Sequence, residues 1–499
     1  MTIAEYGDLD ALGMADLVRR RAVSAEELLA EALARVARVN PQINAVVHMF
    51  PERARAAIAG GLPDGPFSGV PFLLKDLLAA FAGEPLRGGS RLFADVVPTR
   101  DSELVRRFKQ AGLVIFGKTA TPELGTSALT ESALTGITRN PWNLAHTSGG
   151  SSGGTSAAVA ARILPMASGG DGGGSIRTPA AATGLVGLKP SRGRNPSGPD
   201  GADGWWGFAV EHVLSRTVRD TAAALDVTAG DYPGQLMKLA PAERPFLSEV
   251  GRAPGRLRIA FSTSAGLGTS LDPECREAVQ SVAAGRSGLG HQVEEVALPL
   301  DGPAFVRDYL IMLAADTAAT VRWRQRELGR LAREDELEPR DWLMACLGEA
   351  LSAGEVTDAY WRLQQFARNW LIWAEPYDVL LTSSLGMPPA PVGFGEPDAA
   401  TRTLISQLCA LPKPQLAAQV DMLVTAFQGA FNYSSQTMMA NVTGQPGISL
   451  PLAWSRDGLP LGVMFTGRTG DEATLLRLAG QLEQEMPWKH RKPPLTADL

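Results

Sequence analysis

The stretch SGGDGGGSIRTPAAATG, residues 168–184, sets six glycines around Ser175 and then runs into Arg177, Thr178, Pro179 and a row of alanines. Glycine at such density has two uses. It supplies slack in a linker, or it strips away side chains so that backbone N–H groups can point at a ligand. A second patch, SGGSSGG at 148–154, places Ser151 24 positions before Ser175. Small, core-like sequence borders both patches, TSAAVAARIL after the first and PAAATGLVGL after the second. Linkers are not framed in that way, so two loops packed closely together are expected. Neither patch fits the Walker pattern or the dinucleotide-binding spacing, which argues against a phosphate loop and a nucleotide-binding module.

Working outward, SAEELLAEALARVARVN (24–40) reads as an amphipathic helix, with Ser24 and Glu27 forming a capping box. FSGVPFLLKDLLAA (67–80) and AGLVIFGKTATPE (111–123) read as buried strands, the second ending in a loop. RLRIAFSTS (256–264) is a further strand, and 271–299 reads as helix, glycine turn and strand. Residues 303–376 are mostly helical, YDVLLTSS (377–384) returns to strand, and the Pro-rich 386–415 reads as a surface excursion. GISLPLAWSRDGLPLGVMFTG (447–467) is a hairpin turning at Asp457-Gly458, followed by a helix over 471–485. Strands and helices alternate without a repeat or clear linker. The expected fold is α/β, one large domain over 1–499 with a mixed central sheet inside helical layers. Its centre is expected at about 67–200, with a peripheral helical and loop region at about 303–430.

Composition narrows the function. The 499 residues carry 47 basic and 53 acidic side chains, dispersed, for a net charge of −6. No basic block invites nucleic acid or an anionic membrane. Three scattered cysteines, Cys275, Cys346 and Cys409, fit neither a disulfide framework nor a zinc ribbon. The acidic N-terminal MTIAEYGDLDALGMADL lacks the form of a signal peptide, and no long apolar run spans a membrane, so a cytoplasmic protein is expected.

For catalysis, Ser175 needs an activating base. None of the five histidines, His48, His146, His212, His291 and His490, stands in a G-x-S-x-G elbow, and no cluster has metal-ligand spacing. Lys75, inside GVPFLLKDLLAA, offers another route. Burial there would lower its pKa and let the neutral amine act as a base. The competing reading pairs Lys75 with Asp76 at the surface.

Taken together, GVPFLLKD (69–76), GGSSGG, DGGGSIRTPA and GLVGLKPSRGR (184–194) resemble the amidase signature family in order and spacing. TRNPWNL (138–144), GKTATPE (117–123) and NVTGQPGISLPL (441–452) extend the resemblance over nearly the whole chain. It implies an acyl-transfer hydrolase with Ser175 as nucleophile, Lys75 as base and Ser151, after a cis peptide bond, as relay. Gly172, Gly173, Gly174 and Ser175 would form the oxyanion hole, while Ser152, Asp171 and Arg177 would brace it. Gly125 and Thr126 would line the acyl pocket, and Trp205 and Trp206 would stand near its entrance, unless these tryptophans are structural. Relatives often carry a β-branched residue where Gly172 stands, which suggests a looser loop here.

No cofactor or metal is implied. The expected partner is a small-molecule or oligomeric amide substrate, bulky or apolar, with esters and carbamates as side reactions, acted on by a monomer or homodimer. KPSRGRNPSGP looks closer to stand-alone bacterial amidases, including the cyclic-dimer hydrolases, than to the alternative, the amidotransferase component of a tRNA-modifying complex.

Overall fold

Burial and backbone pairing organise the chain around two sheets. The computed structural model describes residues 5–201, 204–264, 266–267, 270–434 and 436–498, with 286–288 as backbone alone. Strands β1 (Val46–Met49), β2 (Pro71–Lys75) and β3 (Val114–Thr119) form a three-stranded sheet in the order β1-β3-β2. Eight further strands are β4 (Met166–Asp171), β5 (Val186–Lys189), β6 (Val210–Ser215), β7 (Arg258–Phe261), β8 (Gln292–Glu295), β9 (Val379–Ser383), β10 (Gly447–Trp454) and β11 (Pro460–Gly467). They pair in the order β8-β7-β9-β11-β10-β5-β6-β4. The β7 pairings with β8 and β9 are parallel and the rest antiparallel, so the sheet is mixed, as expected. The smaller sheet meets the larger where β2 runs alongside β4, and the backbone N–H of Lys75 donates to Ser168 Oγ at 2.8 Å.

Local sequence explains the elements that position the site. Helix α1 (Ala25–Ile43) starts at the Ser24–Glu27 capping box and buries Leu28, Leu29, Ala32, Val36, Val39 and Ile43 along one face. Asn44, in the left-handed conformation, ends it. The first glycine–serine patch opens helix α2 (Gly153–Ala160), and the second opens α3 (Arg177–Thr183); every residue of both helices is buried. The two patches meet where the Ser152 N–H donates to the Ser175 carbonyl at 3.3 Å. Helix α4 (Pro273–Gly288) packs on the large sheet, and the β10–β11 hairpin turns through Gly458 at φ +78°, where sequence places it.

One expectation needs correction. Residues 303–430 are not uniformly peripheral. Helices α5 (Gly302–Leu328), α6 (Pro339–Ala350), α7 (Ala353–Ala374) and α8 (Val420–Tyr433) do form a separate apolar layer. Strand β9, inside the same range, is buried along its whole length between β7 and β11. The apolar run VLLTS demands that burial, and the helices before it pack on one face of the sheet, against Ala260 of β7 and Leu380 of β9. The Pro-rich 386–415 stretch is mostly exposed, though Ala390 is buried and its carbonyl accepts from Thr147 N–H at 2.9 Å. Helix α9 (Thr437–Thr443) and α10 (Glu472–Glu485) complete the packing. Among the described residues, no helix is long and apolar enough to cross a membrane.

Glycine is obligatory where α2 docks. A methyl group on Gly154 would lie 2.2 Å from the Ala120 N and 2.6 Å from the Ala45 carbonyl oxygen, both backbone atoms that cannot rotate away. Gly154→Ala is therefore expected to destabilise the fold by about 1–3 kcal/mol or more. Urea denaturation of the variant beside the parent checks this; an unchanged midpoint would show that the helix shifts freely.

Candidate active site

Strand alternation separates Lys75 from Asp76. Asp76 turns to the far side, 3.2 Å from Arg87 Nε and 3.7 Å from Lys118 Nζ, so the surface pairing of Lys75 with Asp76 does not occur. Lys75 is buried, and its Nζ donates to Ser151 Oγ at 2.7 Å and lies 3.4 Å from the Gly170 carbonyl oxygen. Burial holds its pKa down to about 7, against the opposing charges of Asp171 and Glu211. The peptide bond between Gly150 and Ser151 is cis. Ser152 Oγ donates to the same Gly170 carbonyl at 3.3 Å, which places it beside the lysine.

The loop from Asp171 to Arg177 is organised by the aspartate. Its carboxylate accepts from the backbone N–H groups of Gly174 at 2.7 Å and Ile176 at 3.1 Å. It also receives Arg177 in a bidentate pair, Nε at 2.9 Å and Nη2 at 2.8 Å. Asn441, on α9, donates to the same carboxylate at 3.0 Å and accepts from Arg177 at 2.7 Å. Burial alone would raise the Asp171 pKa, but the Arg177 charge overrides it and holds the carboxyl well below the usual range.

This bracing corrects one expected role. The Gly174 N–H is taken by Asp171 and is not available as an oxyanion donor. Among the described residues, no hydrogen bond occupies the N–H groups of Gly172, Gly173 and Ser175, which leaves three candidate donors. Gly174 is required for another reason, its φ of +131°. The carbonyls of the loop are held from behind: Tyr309, on α5, donates its hydroxyl to Gly172 at 3.0 Å, and Thr437 Oγ1 donates to Gly173 at 2.7 Å.

These groups open onto a cavity of about 440 Å³ lined by Lys75, Ser151, Ser175, Gly172 and Gly173. Its walls are largely apolar, among them Leu77, Leu78, Leu124, Met344, Phe427 and Phe431. Gly125 and Thr126 are among its lining residues. Gly125, at φ +71°, leaves no spare room, since a methyl group there would lie 2.5 Å from Leu77 Cδ2 and 3.2 Å from Ser151 Oγ. Thr126 donates to Asp341 and accepts from Arg340 at 3.0 Å, so its hydroxyl is turned into the wall.

The two tryptophans part company. Trp205 lines the cavity, edge-on to Phe208 and Tyr309 at 5.5 and 5.1 Å between ring centres. Trp206 does not line it; its ring is 42% exposed and lies against Tyr360. Both have positive φ in one tight turn, which throws consecutive side chains to different sides. Gly172 is explained by the same turn. A methyl group on it would lie 2.9 Å from Trp205 Cε3, so the indole fills the space a β-branched residue would need, and the loop is covered rather than loose.

None of the five histidines lines the cavity. Three carboxylates that sequence spacing did not bring together, Glu123, Glu338 and Asp341, place oxygens within 4.8 Å of one another. Each is engaged: Glu123 accepts from the Glu338 N–H, Glu338 from the Ala133 N–H at 2.9 Å, and Asp341 from Thr126 and Arg340. Burial and the neighbouring Asp341 push the Glu123 pKa upward, as expected of carboxylates held close together in a buried site. Sequence reasoning also missed Glu211 on β6, Tyr309 on α5, and Thr437 and Asn441 on α9, because these elements lie far along the chain from the glycine patches. Only NVTGQPGISLPL, which contains Asn441, carried a signal.

Comparison with known proteins agrees with this geometry. The family model described as Amidase matches residues 27–476. The chain is 37% identical to the 6-aminohexanoate-cyclic-dimer hydrolase of Pseudomonas sp. (strain NK87), over 97% of this chain and 96% of that one. A solved structure of 6-aminohexanoate cyclic dimer hydrolase complexed with substrate superposes with a TM-score of 0.88 at 35% identity, covering 98% of this chain and 99% of the other. A glutamyl-tRNA(Gln) amidotransferase chain from Thermotoga maritima shares the fold alone, with a TM-score of 0.70 at 22% identity over 100% of this chain and 99% of that one. The chain belongs to the amidase family, as a hydrolase of linear or cyclic amide C–N bonds.

Proposed function

We propose that this amidase cleaves bulky, apolar amides by acyl transfer to Ser175, with Lys75 as base and Ser151 as relay. The observation that carries this is the 2.7 Å hydrogen bond between Ser151 Oγ and a buried lysine whose pKa is held down to about 7. A neutral Lys75 accepts the Ser151 proton while Ser151 accepts that of Ser175. Ser175 Oγ then bonds to the amide carbon, and its carbonyl oxygen becomes anionic opposite the N–H groups of Gly172, Gly173 and Ser175. Each well-aimed donor is worth about 3–4 kcal/mol in such a transition state. The relay runs backwards to protonate the departing amine as the C–N bond breaks. Water next gives a proton to the relay, bonds to the acyl carbon and releases Ser175 with its proton restored.

The apolar walls and the 440 Å³ volume support large acyl or amine groups over acetamide-sized ones. Esters and carbamates present the same carbonyl to the same donors and are expected side substrates. Every group in the relay comes from this one chain, which supports a self-contained enzyme, monomer or homodimer, over an obligate component of a larger complex. The proposed location is the cytoplasm, whose reducing conditions would keep Cys346 and its neighbour Cys409 as thiols.

A size series of amides and anilides, with Ser175→Ala as the blank, tests the substrate class. kcat/KM should rise from acetamide to bulky apolar amides; a maximum at the smallest amide would overturn it. Ser175→Ala and Lys75→Ala should each lower kcat by roughly a thousandfold or more while the protein stays folded. Near-parental turnover in Lys75→Ala would sink the relay.

The pH profile provides a separate check. Only the neutral amine accepts a proton, so kcat/KM should climb about tenfold per unit below the Lys75 pKa of about 7 and level off above it. Glu211 stands opposite Gly170 on β6; burial pushes its own pKa up to about 7, so only toward the top of the acid limb does its charge favour the ammonium form of Lys75. Glu211→Gln should therefore move the shoulder of the limb to lower pH, whereas a merely structural Glu211 would lower activity with the shoulder in place.

A further inference from the structure

Helix α5 turns one face toward the cavity through Tyr309, Leu313, Asp316, Thr317 and Thr320. Tyr309 holds the Gly172 carbonyl, so that end of the face adjoins the nucleophile loop. Asp316 follows two turns later, about 10 Å along the helix at 1.5 Å per residue. Among the described residues, no ion pair or hydrogen bond involves the Asp316 carboxylate. Asp171, the other acid lining the cavity, is occupied by Arg177. Arg340 also lines the cavity, but its charge is committed to Asp341 at 3.0 Å. Burial alone pushes the Asp316 pKa up to about 6, with no neighbouring charge contributing, so among the described residues no cation stands close enough to neutralise it.

A carboxylate facing an apolar cavity without a partner is unfavourable in the empty enzyme. A ligand that brings a cation converts it into a paired, charge-assisted contact. From this placement we infer that Asp316 determines specificity, selecting amide substrates with an ammonium group at the end of a chain reaching about two helical turns from the scissile carbonyl. The substrate class is therefore an amide whose acyl or amine part is an apolar chain ending in a primary amine. The apolar walls hold the chain, and Asp316 holds its end. This inference rests on Ser175 as the reacting centre, since the distance is measured from its loop.

The test uses matched p-nitroanilides and alkylamides of ω-amino acids, each paired with an isosteric uncharged methyl-terminated analogue, over a range of chain lengths. A second series carries the amine on the leaving group. The parent should prefer the cationic member by about ten- to a hundredfold in kcat/KM in one of the series, expressed mainly in KM because the contact is equal in ground and transition states. Asp316→Asn should bring that ratio toward one. Asp316→Glu should keep the preference with a different optimal length, and Asp316→Lys should reverse it toward carboxylate-terminated analogues. Asp358→Asn, an exposed acid on α7, should leave the ratio as it is. The inference is overturned if neither series shows a charge preference in the parent, or if the preference survives Asp316→Asn. Turnover that persists in Ser175→Ala would instead strike the acyl-transfer reading, so the two failures are distinguishable.

Discussion

The site depends on the fully buried pair between Asp171 and Arg177. A glycine-rich loop has little intrinsic preference for one shape, and three consecutive glycines lose more entropy on ordering than any other tripeptide. The Asp171 carboxylate supplies the order by binding three backbone N–H groups, those of Gly174, Ile176 and Arg177, and a bidentate guanidinium at once. Buried ion pairs carry a desolvation cost, and this one is offset by satisfying nearly every lone pair, with Asn441 closing the ring. The consequence is selective. Asp171 consumes the Gly174 N–H and leaves those of Gly172, Gly173 and Ser175 free, so one carboxylate defines both the shape of the loop and which of its donors remain open.

Burial of a lysine is used three times in this chain, with different results. Lys75, Lys118 and Lys189 are all buried, and desolvation lowers the pKa of each, to about 7, 8 and 7. Lys118 faces Asp76, and Lys189 Nζ donates to the Pro190 carbonyl. Only Lys75 meets a hydroxyl, that of Ser151. A lowered pKa by itself therefore does not mark the base among these three. The neighbour does, because a neutral amine beside a carbonyl or a carboxylate has no proton to accept.

Much of this was legible in the chain. The capping box at Ser24, the Asp457-Gly458 hairpin and the sequence of helix, turn and strand over 271–299 depend on local chemistry, and each appears where its residues stand. Lys75, Ser151 and Ser175 were legible as a set through the family resemblance that the two glycine patches and the short apolar strand carry; from its own segment Lys75 read equally well as a surface partner of Asp76. What escaped was everything set by pairing across distance. Tyr309 and Thr437 meet the loop only after α5 and α9 fold over it. Trp206 follows Trp205 directly, yet only the turn's positive φ values decide which ring reaches the cavity. Glu123 is far in sequence from Glu338 and Asp341, a separation that no spacing rule can bridge.

Gly172 shows how such a long-range pairing rewrites a local inference. Read alone, a third glycine beside the nucleophile means added freedom. In the fold, the missing side chain is replaced by the Trp205 indole, whose edge lies 2.9 Å from where a Cβ would stand and packs edge-on against Tyr309. Tyr309 in turn holds the Gly172 carbonyl. The loop is thus clamped by an aromatic lid on one side and a hydroxyl on the other, and the lid also forms part of the cavity wall. A small residue in the oxyanion loop and a large one in a later turn act as one unit. The shape of the substrate cavity is coupled to the geometry of its donors, and changing either residue alone would disturb both.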